Sequence, residues 1–178
     1  MEKRKFLHTV AGGALGLAFS PLLAAEKKPS KEYVAPTVAH VLEGFDGVTN
    51  QAVRLEDFAG KTLLVSFFTF ECVPCHQDLR LMREFYQANK ARNFVMLGVN
   101  MDKQRDAFME YMHLIDQTIP KEQHFPIVWR NAPGHKDSFG TIATKPTHFV
   151  LNKTLKQVMR REGPFQAGDW DDLWTNLS

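Results

Sequence analysis

Cysteine is scarce in this chain of 178 residues, which holds only Cys72 and Cys75. Two cysteines cannot build a disulfide framework or a four-cysteine zinc site, so they pair with each other or with a partner's thiols. The chain has little excess charge, because its 22 Lys and Arg residues nearly balance its 20 Asp and Glu residues. It also has no internal repeats and no low-complexity segments. This composition predicts one globular domain with an extension, and it argues against nucleic acid as a partner.

The first 25 residues have the features of an export signal. Lys3-Arg4-Lys5 is a basic start, a mostly apolar stretch rich in small residues follows, and Leu23-Ala24-Ala25 offers a cleavage site. The basic start resembles a twin-arginine signal with lysine in place of the first arginine. We predict export to the periplasm, with an uncleaved, periplasm-facing membrane anchor as the alternative. The predicted divisions are the signal or anchor at 1–25, a polar linker at 26–35 and one folded domain at 36–178.

Residues 62–80 place the two cysteines between a strand and a helix. The apolar, β-branched run at 63–68 is typical of a strand that is buried on both faces. Apolar residues then recur at helical spacing, and Pro74 suits the first turn because its missing N–H costs nothing there. Cys72 is therefore predicted at the helix N-terminus, where backbone N–H groups and the helix dipole favour a thiolate over a thiol.

The rest of the chain contains further candidate strands and helices. The predicted strand segments are 38–45, 53–58, 94–99, 125–129, 146–151 and 155–160, and the first two and last two form hairpins. The predicted helical segments are a turn at 55–61, a helix at about 103–115, a turn near 138–142 and a final helix around 170–177. The expected core side chains include Met109, Met112, Trp129, Trp170 and Trp174. The strand–helix–strand order from 62 to 99 predicts two parallel strands with a right-handed crossover.

This order of elements resembles the thioredoxin fold, and the similarity is closest to the exported TlpA/ResA-like thiol–disulfide oxidoreductases. The phrases that carry the resemblance are Leu55-Glu56-Asp57-Phe58-Ala59-Gly60-Lys61, Cys72-Val73-Pro74-Cys75, Leu97-Gly98-Val99-Asn100 and Pro146-Thr147-His148-Phe149-Val150-Leu151-Asn152. The resemblance implies an α/β fold: a central mixed β-sheet flanked by helices, with an N-terminal β-hairpin extension. Residues 36–178 would form this thioredoxin-like domain.

Cys72 is the expected nucleophile because it lies nearer the helix start and the surface. Its thiolate would attack a client disulfide, or its bond to Cys75 would be attacked in the reverse direction. Cys75, a turn further in, would resolve the mixed disulfide. We expect no cofactor beyond this redox-active disulfide, and the alternative is a structural or metal-binding cysteine pair.

Pro146 is expected, from the resemblance, to be cis and to face the cysteines. A cis peptide bond costs little only before proline, so the Lys145–Pro146 bond is the plausible place for one. The backbone of Lys145 would then be free to pair with an extended segment of a client protein. The alternative is a trans proline that opens an edge strand.

Three positions depart from the family pattern. Glu71 stands where thioredoxin-like proteins usually have tryptophan, and a carboxylate close to Cys72 would raise the pKa of its thiol. Ser66 stands where the family has a buried acid, and serine cannot accept the proton of the resolving thiol. Lys145 precedes the proline, where a cation would lower the pKa of Cys72. We expect Glu71 and Lys145 to tune Cys72 in opposite directions or to pair with each other.

His148 lies two residues past Pro146, on the strand expected beside the cysteines. Cys72, Cys75 and His148 could together bind Cu(I), since thiolate and imidazole ligands suit that ion. Copper chaperones of the Sco type use such a set with CxxxC spacing. We expect instead that no metal is bound, that His148 is packed or exposed, and that His76 is solvated.

The sequence therefore predicts an enzyme, an exported thiol–disulfide oxidoreductase that exchanges its disulfide with client cysteines. The resemblance favours a reductant in cytochrome c maturation or in the reduction of metal-site thiols, with a membrane electron donor as a further partner. The chain has no haem-attachment CxxCH motif, so any haem link concerns the clients. The alternative is a copper-binding chaperone that uses the two cysteines and His148, and a third hypothesis is a non-catalytic interaction domain.

Overall fold

The computed structural model describes residues 30–33, 38–175 and 177, so the predicted signal at 1–25 lies outside the described residues. The strands are β1 Ser30–Tyr33, β2 Leu42–Phe45, β3 Ala52–Arg54, β4 Thr62–Phe68, β5 Phe94–Asn100, β6 Ile127–Trp129, β7 Lys136–Asp137, β8 Thr147–Leu151 and β9 Gln157–Glu162. The helices are α1 Val73–Asn89, α2 Arg105–Thr118 and α3 Ala167–Thr175, and short 3₁₀ turns lie at Leu55–Phe58, Lys90–Arg92 and Lys121–Gln123. In the part of the chain that is described, no helix has the length and apolar character to span a membrane.

The central sheet has six strands in the order β1-β9-β8-β4-β5-β6. The pairs β4–β5 and β5–β6 are parallel, whereas β8, β9 and β1 add as antiparallel neighbours. Every residue of β4 and β5 is buried, which explains why both strands have apolar sequences rather than an alternating pattern. The predicted mixed sheet, its parallel central pair and the C-terminal hairpin are confirmed.

Two apolar clusters lie on opposite faces of the central sheet. Side chains alternate along β4, so Leu64 and Phe68 belong to one cluster and Leu63, Val65 and Phe67 to the other. All three helices contribute buried side chains to the first cluster, among them Leu79, Met112 and Leu173. The N-terminal hairpin and the segment before β8 contribute to the second, through residues such as Leu42, Val53 and Phe139. The cysteine-bearing helix α1 is thereby fixed against the sheet.

The N-terminal extension forms the predicted hairpin, within a second sheet of order β3-β2-β7. Asp46 in its turn accepts hydrogen bonds from the backbone N–H groups of Val48 and Thr49 and, at 2.9 Å, from that of Ile127 in β6. Gly47 packs so closely on α2 that a Cβ atom there would lie 2.5 Å from the Phe108 ring. The turn therefore joins the hairpin to the central sheet and to α2.

Two predictions about backbone structure are wrong. Residues 30–33, which we placed in the linker, form the edge strand β1. This strand is held by backbone pairing with β9 and by an ion pair from Lys31 to Asp169 at 2.7 Å. Neither interaction requires an apolar sequence pattern, so the sequence did not reveal the strand. The turn near 138–142 is not helical, since β7 at Lys136–Asp137 pairs with β2 instead. The Asp137 carboxylate also accepts hydrogen bonds from Arg130 at 2.7 Å and from the Phe139 N–H at 3.0 Å. These bonds hold the segment extended.

Three further details differ from the prediction. The strand expected at 53–58 ends at Arg54, and the 3₁₀ turn Leu55–Phe58 follows it. Of the two overlapping predictions for this segment, the helical turn at 55–61 is the correct one. Met109 is 40% exposed and does not face the core, although Met112 does. Trp174 is 49% exposed, and the Arg92 guanidinium lies over its ring. Helical spacing alone marks a face, and the neighbouring elements decide how much of that face is covered.

Candidate active site

Cys72 and Cys75 form a disulfide at the start of α1. Cys72 is the N-cap residue, and its sulfur accepts a hydrogen bond from the backbone N–H of Cys75 at 3.2 Å. Pro74 lies exposed in the first turn, where its missing N–H leaves no hydrogen bond unmade. Cys72 is half-buried while Cys75 is fully buried, so Cys72 is the cysteine of the pair that is accessible from the surface.

The loop before Cys72 is held from two sides. The backbone N–H of Phe70 donates to the carboxylate of Asp102 at 2.9 Å, and Asn100 at the end of β5 donates to the same carboxylate at 2.6 Å. From the other side, the Nε2 atom of His76 donates to the carbonyl oxygen of Phe70. His76 is half-buried and fixes this loop, so the expectation of a solvated side chain is wrong.

Pro146 lies at the same end of the sheet as the cysteines. The Lys145–Pro146 peptide bond is cis, and the alternative of a trans proline is therefore wrong. Thr147, the next residue, pairs with Phe67 near the end of β4, the strand that leads to Cys72. Pro146 is buried, its carbonyl oxygen accepts from the Gly163 N–H at 2.8 Å, and Lys145 is exposed. The loop before β8 is thus a fixed part of the surface near the cysteine pair.

A chain of buried polar side chains connects α1, β8 and β4. The Asp78 carboxylate accepts from Nε2 of His148 at 3.1 Å, and Nδ1 of His148 lies 3.0 Å from the Ser66 hydroxyl. The same Asp78 oxygen also accepts from the backbone N–H of Phe165 at 3.0 Å. Ser66 and His148 are fully buried and Asp78 is 4% exposed. We call these three residues the buried triad.

Asp78 is the residue that the sequence analysis missed. It comes three residues after Cys75 on α1, so the two side chains share one face of the helix. A buried acid is therefore present on the helix, whereas the strand position that carries the acid in the family holds Ser66. A signal was present in the sequence, because Cys75, Asp78, Leu79 and Met82 form one buried stripe, and an acid on such a stripe requires a partner.

His148 is a neutral imidazole in this environment. Burial lowers its pKa below the ordinary value, and the Asp78 carboxylate opposes that shift without reversing it. With Nε2 donating to Asp78, Nδ1 is the nitrogen that accepts from the Ser66 hydroxyl. The triad therefore places a hydrogen-bonded carboxyl group on the face of α1 that also bears Cys75, and its histidine adds no positive charge to the core.

The remaining candidate residues do not form the pair or the metal site considered from the sequence. Glu71 and Lys145 are both exposed, and within residues 38–175 no ion pair joins them. The set Cys72, Cys75 and His148 is not assembled as a metal site: no group of three His, Cys, Asp or Glu side chains among the described residues could hold an ion. Both ring nitrogens of His148 already have hydrogen-bond partners, which leaves no lone pair for copper.

A thioredoxin-like sheet with a CxxC disulfide at the start of its first long helix defines the class of thioredoxin-fold thiol–disulfide oxidoreductases. The chain belongs to the AhpC/TSA family, whose model matches residues 35–158. The expected resemblance, fold class and enzyme class are confirmed.

Relatives and solved structures are similar along most of the chain. The thiol–disulfide oxidoreductase ResA of Bacillus cereus is 24% identical over 170 residues, which are 92% of this chain and 91% of the relative. A thiol:disulfide interchange protein of Chlorobium tepidum has a TM-score of 0.63 and 21% identity, covering 82% of this chain and 99% of that one. StoA of Bacillus subtilis has a TM-score of 0.56 and 21% identity, covering 75% and 96%.

The buried histidine predicts a pH dependence of stability. Because the pKa of His148 is lowered in the folded protein, the unfolded chain binds a proton more readily below the ordinary pKa of 6.5. We expect His148 to make its full contribution to the free energy of unfolding above that pH. It should then fall by about 1.4 kcal/mol per pH unit as the pH drops toward the lowered pKa.

Urea unfolding of the oxidised protein at several pH values between about 7.5 and about 5 measures this slope for wild type and His148→Asn. The variant should be less stable at neutral pH and should show a slope smaller by about one proton. His113→Asn is the matched control, since His113 is exposed on α2. Equal slopes in wild type and His148→Asn would contradict the assignment of His148 as a buried neutral group.

Proposed function

We propose that the protein is exported and acts as a reductant of client protein disulfides through Cys72 and Cys75. The observation that supports this most directly is the unequal burial of the two sulfur-bearing residues at the N-terminus of α1. A half-buried Cys72 is open to a client sulfur, whereas a fully buried Cys75 reaches only Cys72. The basic start and apolar stretch of residues 1–25 support export to the periplasm.

The reaction begins with the reduced protein. The Cys72 thiolate attacks one sulfur of the client disulfide, and the other client sulfur leaves as a thiolate. Cys75 then loses its proton and attacks the Cys72 sulfur, which forms the Cys72–Cys75 disulfide and releases the second client sulfur. Two electrons have passed to the client, and a membrane electron donor returns two electrons to the protein.

Asp78 is the proposed acceptor of the Cys75 proton. It lies one turn along α1 on the same buried face as Cys75, and a nearby carboxylate is a suitable general base for a thiol. His148 and the Phe165 N–H both donate to Oδ2 of Asp78, so the other carboxylate oxygen, Oδ1, is the one that takes the proton. His148 acts as a positioning residue in this step, because it orients Asp78 without touching the cysteines' client.

The proposed direction of electron flow rests on charge around the pair. Glu71 is exposed directly before Cys72, Asp78 is buried behind Cys75, and both carboxylates disfavour a thiolate. When the reduced cysteine is not stabilised as a thiolate, the reduced state is less favourable and the pair gives up its electrons more readily. Reduction of cysteines for cytochrome c maturation or for metal sites is the client chemistry that we propose, in line with the relative named as a thiol–disulfide oxidoreductase.

Insulin reduction driven by dithiothreitol tests the activity. Wild type should precipitate the reduced insulin chains faster than dithiothreitol alone, and Cys72→Ser should return the rate to that of dithiothreitol because the nucleophile is gone. Cys75→Ser should instead accumulate a mixed disulfide with insulin that mass spectrometry detects. A wild-type rate in Cys72→Ser would refute the assignment of the nucleophile.

Lys145 is expected to lower the pKa of the Cys72 thiol, since an exposed cation at the adjoining loop favours the thiolate. Ultraviolet titration of the thiolate in the reduced protein should show a pKa raised by about half a unit in Lys145→Ala. Lys156→Ala, at the other end of the β8–β9 hairpin, is the control. An unchanged thiol pKa in Lys145→Ala would remove Lys145 from the site.

A further inference from the structure

A pocket of about 220 Å³ lies between α1 and α2, directly beside the cysteine motif. Its lining from α1 consists of His76, Arg80 and Arg83, and α2 contributes Tyr111 and Thr118 among others. Not one of the residues that line it is an aspartate or a glutamate. The pocket therefore gathers basic groups without the acids that usually accompany them.

Arg83 is a buried guanidinium that has no carboxylate partner among the described residues. Only 6% of the residue is exposed, and Nη2 donates to the Tyr111 hydroxyl at 3.0 Å while the group lies over the Phe125 ring. Its Nε atom is buried and has no hydrogen-bond partner in the described part of the chain. A guanidinium that is removed from water without a counter-ion is costly, so an incoming anion gains a large electrostatic benefit here.

The three basic residues form a single stripe on α1. Positions 76, 80 and 83 are spaced by four and three residues, which places their side chains on one face of the helix. Arg80 has one acidic neighbour, Glu84 at 3.7 Å, and the two side chains are 71% and 59% exposed. A pair so exposed is weak and gives way easily to a better acceptor.

The stripe begins next to the catalytic pair. His76 follows Cys75 directly, and Arg80 is eight residues beyond Cys72, or about 12 Å along the helix axis. An extended chain covers about 3.3 Å per residue, so about four residues span that distance. A client that presents its cysteine to Cys72 with the flanking chain along α1 therefore brings a nearby side chain over the pocket.

We propose that this pocket binds an aspartate or glutamate side chain of the client protein, three to five residues from the client cysteine. The carboxylate accepts charge-assisted hydrogen bonds from Arg80 and Arg83, and the pocket thereby selects acidic clients. This site rests on the proposed reductase function and adds a substrate preference to it.

Single-turnover reduction of peptides tests the site. Each peptide carries one cysteine as a mixed disulfide with 2-thiopyridine, a neutral leaving group, and has Glu, Gln or Lys four positions before or after the cysteine. The reduced protein should react with at least one Glu peptide about fivefold faster than with its Gln counterpart, and more slowly with the Lys peptide. Release of thiopyridone measures each rate.

Three variants locate the effect. Arg80→Gln removes a charge from the pocket, and Thr118→Trp fills it; both positions are exposed. Each variant should bring the ratio of the Glu-peptide rate to the Gln-peptide rate close to one. Arg92→Gln, an exposed arginine just beyond the other end of α1, should leave the ratio unchanged. A ratio that survives in Arg80→Gln and in Thr118→Trp would overturn the site.

A small neutral substrate, the mixed disulfide of mercaptoethanol and 2-thiopyridine, serves as the reference reaction. If wild type reduces this compound and shows equal rates with the Glu and Gln peptides, the pocket has no role in selecting clients and the site is refuted alone. If wild type fails to reduce the reference compound, the proposed function is refuted and the site falls with it.

Discussion

The hydrogen bonds of the buried triad hold together the three elements on which the site depends. Asp78 belongs to α1, His148 to β8 and Ser66 to β4, and all three side chains lie in the core. Because a buried carboxylate without donors would cost several kcal/mol, α1 packs where His148 and the Phe165 N–H reach Asp78. The orientation of α1 in turn sets the burial of Cys75 and the exposure of Cys72.

The charges around the disulfide divide into two opposing groups. In the proposed function, the N-terminus of α1 and the exposed Lys145 favour a thiolate at Cys72, whereas Glu71 and Asp78 disfavour one. The dipole acts over a single turn, and Lys145 is screened by solvent, while Asp78 acts inside the core where screening is weak. The proposed reducing direction rests on this buried carboxylate, which we take to outweigh the exposed charges around the pair.

Much of the fold and the reacting pair could be predicted from local patterns. The apolar run at 63–68, the CxxC motif and the helical spacing after it each depend on neighbours in sequence, and the cis bond before Pro146 followed from a family resemblance. The apolar stripe of α1 marks Asp78 as a buried acid, but its partner His148 lies 70 positions away, and no local pattern reveals that contact. The same holds for β7 and β1, since each forms by pairing with a distant strand rather than by its own sequence.

The reduction potential of the Cys72–Cys75 pair tests the central claim most directly, because it measures the direction in which this charge arrangement drives electrons. Equilibration with defined ratios of reduced and oxidised glutathione, followed by thiol trapping, gives the value for the wild-type protein. A reductant of client disulfides predicts a potential below about −220 mV. A potential above about −150 mV, typical of proteins that oxidise thiols, would contradict the account.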